Sequence, residues 1–319
     1  MAKKVYIPQA VAQEGVDFLQ EQGYEIVHGK TPSQEDFIRE VADCDAVLLR
    51  TMLCPETLLA AGRKLKIVAR HGVGYDNVDI AAAEKLGIWV TNTPQALSDS
   101  VAEFTLAAML TAAKRIPQCS DALYTGDYFY KNSHKGMDLS GKTLGIVGFG
   151  RIGRALAKKA HFGLDMNILA YSRSLRQEQA PEYVTVCDLP ALLERSNVVT
   201  LHIPGGIANE NLFGAEAFAR MKDSAILVNV ARGEVVDETA LLAALDGGKL
   251  SYAVLDVQKR EPPAADDLLM RNPKVLLTPH MASNTGECMA RMALHAAWQI
   301  HKVLSGEMPD WPVNHPILK

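Results

Sequence analysis

The sequence predicts an α/β protein made of two doubly wound parallel-sheet domains. Short runs rich in Val, Ile and Leu alternate with amphipathic stretches along the chain, and a long helical stretch interrupts that alternation once. The 319 residues are enough for two domains, each with its own core. Apolar strands separated by helical segments belong to parallel sheets covered on both faces.

In the first series "KVYIP", "YEIVH", "DAVLLR", "LKIVAR" and "GIWVT" read as buried strands, separated by helical patterns such as "VAQEGVDFLQEQG". The second series, from Thr143 to Pro279, holds "TLGIVGFG", "NILAYS", "NVVTLHI", "SAILVNV", "YAVLDV" and "KVLLTP". Between them "SDSVAEFTLAAMLTAAKR" predicts a long helix that opens on a capping box of Ser100 and Glu103. Another long helix is expected from about Thr285 to Leu304. The "GEMPDWPVNHPILK" that follows is too short for a domain, so the chain is expected to return to the first one. The predicted domains are residues 1–99 with 287–319, and residues 100–286, with a cleft between them.

Composition excludes several classes. Hydrophobic content of 48% and charged content of 22% are ordinary for a soluble globular protein. A net charge of -4 and a pI near 6.2 argue against a nucleic-acid or membrane-surface binder, which needs a basic face. The N-terminus lacks the apolar core of a signal peptide, and no uncharged apolar run reaches membrane-spanning length. The cysteines, five in all and with no C-x-x-C pair, read as reduced packing residues of a cytoplasmic protein. No H-E-x-x-H, G-x-S-x-G or spaced Cys/His pattern is present, so no metal is expected.

Gly148-Phe149-Gly150-Arg151-Ile152-Gly153 closes a predicted strand and opens a predicted helix. In that setting Gly148 permits the tight turn, Gly150 admits a pyrophosphate to the backbone, and Gly153 lets the helix pack on the strand. Upstream, "GMDLSGKT" (Gly136 to Thr143) matches the letters of a phosphate-binding P-loop. A strand follows it rather than a helix, so it cannot cradle phosphate with helix N–H groups.

The strand after the glycine loop ends in "AYSRS", where an acid normally holds the adenosine ribose of NAD. Ser172, Arg173 and Ser174 offer hydroxyls and a fixed cation instead. That set suits a 2′-phosphate, so NADP(H) is expected to be preferred, with NAD(H) possible. Arg232, Glu261 and His280 follow three predicted strands of the same series. Ligands of open parallel sheets bind outside the carboxyl ends of the strands. A guanidinium there can grip a 2-oxo acid's carboxylate and polarise its carbonyl. His280 can donate the proton that the forming alkoxide needs, with Glu261 holding the imidazolium.

"RHGVGYDNVD", "SVAEFTLAAML", "VGFGRIGR", "NVARGEVVDE", "LDVQKREPP" and "LTPHMAS" resemble, in order and spacing, the D-2-hydroxyacid dehydrogenase family over nearly the whole chain. The resemblance implies a flavodoxin-like substrate domain completed by the C-terminal helix, a Rossmann nucleotide domain, and a cytoplasmic homodimer. It implies that Arg232 orients substrate, that Glu261 and His280 transfer the proton, and that the backbone at Val73 and Gly74 contacts the substrate carboxylate. Toward the cofactor it implies Thr105 near the nicotinamide, Arg151 and Ile152 over the pyrophosphate, and His202 and Pro204 beside the adenine. Val230, Ala231 and Asp256 complete that set, Asp256 receiving the nicotinamide carboxamide. Two features depart from the family: "PGGIANENLFG" after Pro204, and the absent acid at Ser172. The expected activity is reduction of a small 2-oxo acid such as hydroxypyruvate or glyoxylate. The alternatives are a short NAD-dependent phosphoglycerate dehydrogenase and a nucleotide-sensing, corepressor-like binding protein.

Overall fold

The structure, a computed structural model, describes residues 2–31 and 33–317. The chain folds into two compact units, Met1–Leu97 with Ser283–Lys319, and Ser98–Ala282.

The first unit carries β1 (Lys4–Ile7), β2 (Glu25–His28), β3 (Ala46–Leu49), β4 (Ile67–Arg70) and β5 (Trp89–Thr91) in the order β2-β1-β3-β4-β5. Every pairing is parallel. That is the flavodoxin-like order, which requires crossovers on both faces. Successive residues of a strand point to opposite faces. One face (Val5, Ile7, Ala46, Leu48, Ile67, Ala69) therefore packs on Ala296, Ala297 and Ile300 of the helix Gly286–Ser305. The other face (Tyr6, Val47, Leu49, Val68, Val90) packs on Phe37, Leu58, Leu59 and Ala83. The covering helix starts where Thr285 accepts a hydrogen bond from the Cys288 N–H at 3.2 Å and ends at Gly306 in the left-handed region. The expectation of a buried strand fails for β2. It is an edge strand, and Glu25 and His28 at its ends are exposed.

The second unit carries β6 (Thr143–Val147), β7 (Asn167–Tyr171), β8 (Val184–Val186), β9 (Val198–Leu201), β10 (Ala225–Asn229), β11 (Leu250–Leu255) and β12 (Val275–Leu277). Their order, β12-β11-β10-β9-β6-β7-β8, is that of a dinucleotide-binding sheet, reversing direction between β6 and β9. The sequence reading missed β8, a three-residue edge strand with too few apolar residues to stand out. The helix Ser98–Ala113 packs against the helix Arg151–Leu164. It begins at Ser98, so Ser100 lies buried inside its first turn and the expected capping box is absent. Glu103 instead meets Lys159 at 3.1 Å. The P-loop-like stretch leads into β6, with no helix behind it.

Among the described residues no helix is long and apolar enough to cross a membrane, and no group of acids, histidines and cysteines could hold a metal ion. The five cysteines are free.

Candidate active site

The glycine loop is fixed by what surrounds each missing side chain. Gly148 has φ +99°, and a Cβ there would meet the His202 carbonyl. A Cβ on Gly153 would run into the Gly148 carbonyl, where helix and strand touch. A Cβ on Gly150 would meet nothing within 4 Å, which leaves one side of the loop open. Gly150 also caps the helix Arg151–Leu164 without a side chain, so no side chain takes its first N–H groups. Uncapped helix N–H groups beside a glycine turn fit a dinucleotide's pyrophosphate. Arg151 is exposed and Ile152 half-buried at the helix start.

Ser172 follows β7, and its hydroxyl accepts a hydrogen bond from the Phe149 N–H at 2.7 Å. The position that an acid would occupy is thereby tied to the glycine loop, with the hydroxyl proton still available to donate. Arg173 and Ser174 beside it are exposed. His202 follows β9, and neither buried ring nitrogen has a hydrogen-bond partner. Burial pushes its pKa down to about 3, so the ring is neutral. Pro204 is exposed. Thr105 is fully buried in its helix and donates its hydroxyl to the Val101 carbonyl at 2.7 Å.

The charged residues sit on the loops after β10, β11 and β12. Asn229, fully buried at the end of β10, shapes the first loop. Its Oδ1 accepts from the Ala231 N–H at 3.0 Å, and its Nδ2 donates to the Arg232 carbonyl at 2.9 Å. Val230 and Ala231 lie in the turn so formed, and Arg232 leaves it. His280 Nδ1 lies 2.9 Å from Glu261 Oε2, both side chains being partly exposed. The other carboxylate oxygen of Glu261 accepts from the Gln258 N–H at 3.1 Å. Arg232, Glu261 and His280 line one pocket of about 180 Å³. Burial works to raise the Glu261 pKa, but the His280 hydrogen bond and charge, the Gln258 N–H and Arg232 outweigh it and hold the carboxyl below its ordinary value.

Asp256 acts on the His280 loop. Its buried carboxylate accepts from Thr278 Oγ1 at 2.6 Å, from the Met281 N–H at 2.8 Å and from the Ala282 N–H at 2.8 Å. The His280 N–H donates to the Asp256 carbonyl at 2.8 Å, which helps hold His280 in the left-handed region at φ +50°. Burial raises the Asp256 pKa against these hydrogen bonds. The structure therefore brings Asp256 to the His280 loop, a task beyond the nicotinamide contact implied by resemblance.

The atypical loop also folds onto this region. The Gly206 N–H donates to the Glu234 carboxylate, and Lys259 Nζ meets Asn211 Oδ1 at 2.6 Å. Val73 and Gly74 belong to the first unit, in the loop after β4, where the Val73 carbonyl accepts from Asn92 Nδ2 at 2.9 Å. Sequence reasoning gave no role to Asn229, Gln258 or Thr278. The signal was present at Asn229 and Gln258: each is a neutral polar residue at the end of an apolar run.

Known proteins fit this geometry. The family profile "D-isomer specific 2-hydroxyacid dehydrogenase, NAD binding domain" matches residues 106–282, more than half of the chain. The chain belongs to this family. It is 37% identical over 99% of its length to a D-3-phosphoglycerate dehydrogenase of Archaeoglobus fulgidus, of which it spans only 60%. It is 38% identical to a glyoxylate reductase of Korarchaeum cryptofilum, covering all of this chain and 98% of that protein. It also resembles the solved NADPH-dependent glyoxylate/hydroxypyruvate reductase of Sinorhizobium meliloti in complex with NADP and malonate. That match has a TM-score of 0.86 and 28% identity over 98% of this chain and 97% of that one. As a member of this family the chain carries a nicotinamide-dinucleotide-binding domain.

Proposed function

We propose that this protein is an NADP(H)-preferring reductase of small 2-oxo acids such as hydroxypyruvate or glyoxylate. The observation that carries the reading is the 2.9 Å contact between His280 and Glu261 in a pocket that Arg232 also lines. The planar guanidinium of Arg232 matches a carboxylate and a neighbouring carbonyl, and fixes how the acid lies. A nicotinamide dinucleotide held by Gly148, Gly150 and the helix start at Arg151 would supply hydride-transfer chemistry. His280 gives its proton to the carbonyl oxygen as charge develops there. Nδ1 is committed to Glu261, so Nε2 is the donor, and Glu261 fixes the tautomer and balances the cation.

NADP(H) preference rests on Ser172, Arg173 and Ser174. No carboxylate stands there to repel a 2′-phosphate, Ser172 is anchored to the glycine loop, and Arg173 is exposed beside it. The neutral ring of His202 and the uncapped helix at Gly150 would hold the rest of the dinucleotide. A cytoplasmic homodimer is supported by the free cysteines and by exposed apolar residues of the second unit at Leu123, Tyr124, Tyr128 and Phe129. The identity to a longer phosphoglycerate dehydrogenase supports a second reading, an NAD-dependent oxidation of a phosphorylated 2-hydroxy acid.

Steady-state rates with NADPH and NADH against hydroxypyruvate, glyoxylate and 3-phosphohydroxypyruvate test both. We expect hydroxypyruvate or glyoxylate to be reduced with the higher kcat/KM from NADPH. The double variant Ser172→Asp, Arg173→Ala should shift that preference toward NADH. Equal or better use of NADH by the unaltered protein overturns the cofactor reading, and turnover of the phosphorylated acid alone favours the second reading.

A further inference from the structure

Gln258 leaves the end of β11 two residues after Asp256 and is buried, with 7% of its surface exposed. Contacts from three loops meet on it. Its Nε2 donates to the Leu255 carbonyl at 3.1 Å and to the Thr278 carbonyl at 3.3 Å, the latter two residues before His280. Its backbone N–H donates at 3.1 Å to Glu261 Oε1, the oxygen that His280 does not use. Its peptide also lies directly against Gly233, where any side chain would run into the Gln258 carbonyl and the Lys259 nitrogen. The turn that carries Arg232 therefore rests on the Gln258–Lys259 peptide, next to the one whose N–H reaches Glu261.

The geometry points to Gln258 as the positioning residue that registers Arg232, Glu261 and His280 against one another. The inference rests on the acid–base reading of the Glu261–His280 pair and adds a residue to it. A primary amide supplies two protons from one nitrogen, so it can bridge two facing carbonyls that each also accept a backbone N–H, from Thr278 and from His280. A carboxylate at this place would confront both carbonyls with negative charge. An apolar side chain would leave them without these donors. Proton transfer needs the donor within hydrogen-bond reach, and a displacement of about 1 Å can cost roughly a hundredfold in rate.

Gln258→Met keeps the length of the side chain and removes both donors. We expect kcat for 2-oxo acid reduction to fall about ten- to a hundredfold while KM for the cofactor stays within about twofold. In a Glu261→Gln background the same change should cost less than about threefold, because the carboxylate that it positions is already gone. A merely structural residue would cost the same in both backgrounds. A measurement without turnover runs alongside. The deshielded proton of the His280 Nδ1–H donated to Glu261, seen by proton NMR in the unaltered protein, should disappear in Gln258→Met as it does in Glu261→Gln. Should Gln258→Met fail to fold, Gln258→Glu keeps the shape and should show the same losses above neutral pH. Unaltered kcat, equal cost in both backgrounds, or an unchanged imidazole proton overturns the assignment. An unaltered protein that reduces no 2-oxo acid counts against the functional reading instead, and the imidazole proton still decides the role of Gln258.

Discussion

The glycine loop after β6 and the loops after β10, β11 and β12 leave the same edge of one parallel sheet, but the first works with backbone and the others with side chains. At the glycine loop the groups proposed to bind are helix N–H groups, and the sequence acts by leaving atoms out. At the other loops the groups that share the pocket are a guanidinium, a carboxylate and an imidazole on flexible stems. Each loop there is held by a buried polar residue: Asn229, Gln258 or Asp256. A site made of backbone needs empty space around it. One made of side chains needs a second layer of hydrogen bonds behind it, because rotatable groups hold a geometry only when something fixes them.

The strongest way to break the comparison is at the side-chain loops. His280→Ala should lower kcat by about two to four orders of magnitude while NADPH still binds, as followed by its fluorescence. Near-normal kcat would remove His280 from the chemistry. A smaller effect is expected at the glycine loop, where two glycines should fail differently. Gly153→Ala places a methyl against the Gly148 carbonyl and should destabilise the fold by about 1–3 kcal/mol in urea melts. Gly150→Ala has room in the protein, so it should melt normally yet weaken NADPH binding about tenfold or more. Normal cofactor binding by Gly150→Ala would mean that the open side of the loop is not where phosphate lies.

The smallest effect separates the two imidazoles of this edge. His202 is held neutral by burial, its pKa lowered from 6.5 to about 3. The unfolded chain takes up a proton there below about pH 6.5 that the folded chain refuses, so stability is full above that pH and falls as the pH drops toward 3. His202→Gln should flatten the dependence of the unfolding free energy by about 1 kcal/mol per pH unit between pH 6 and 5. A slope unchanged by the substitution would show that the ring titrates normally.

Much of this was legible in the residues. β-α alternation set the class, and the glycine spacing located the dinucleotide loop in the strand–turn–helix setting that the structure has. That Arg232, Glu261 and His280 come together was readable because each follows an apolar run, which in a parallel sheet sends it to one edge. What escaped depends on packing between distant segments. β2 looks like its neighbours in sequence, but nothing local records that it takes the edge. Ser100 and Glu103 have capping-box spacing, yet the helix starts at Ser98 and Glu103 turns to Lys159. Thr278 is an ordinary polar residue until the ends of β11 and β12 are brought side by side and its carbonyl meets Gln258.

The helix Gly286–Ser305 closes one face of the sheet built by β1, β3 and β4, and it is made only after the entire second unit. Synthesis and folding therefore run in opposite orders for the two units. The second unit is continuous in the chain and can close while still on the ribosome, but the first must wait. During that wait Val5, Ile7, Ala46, Leu48, Ile67 and Ala69 have only Val16 and Leu19 of the helix Gln13–Glu21 against them, a half-covered apolar face of the kind that chaperones hold and that aggregates grow from. A newly made chain is thus most vulnerable in the part translated earliest, and the final turns of its last long helix end that exposure.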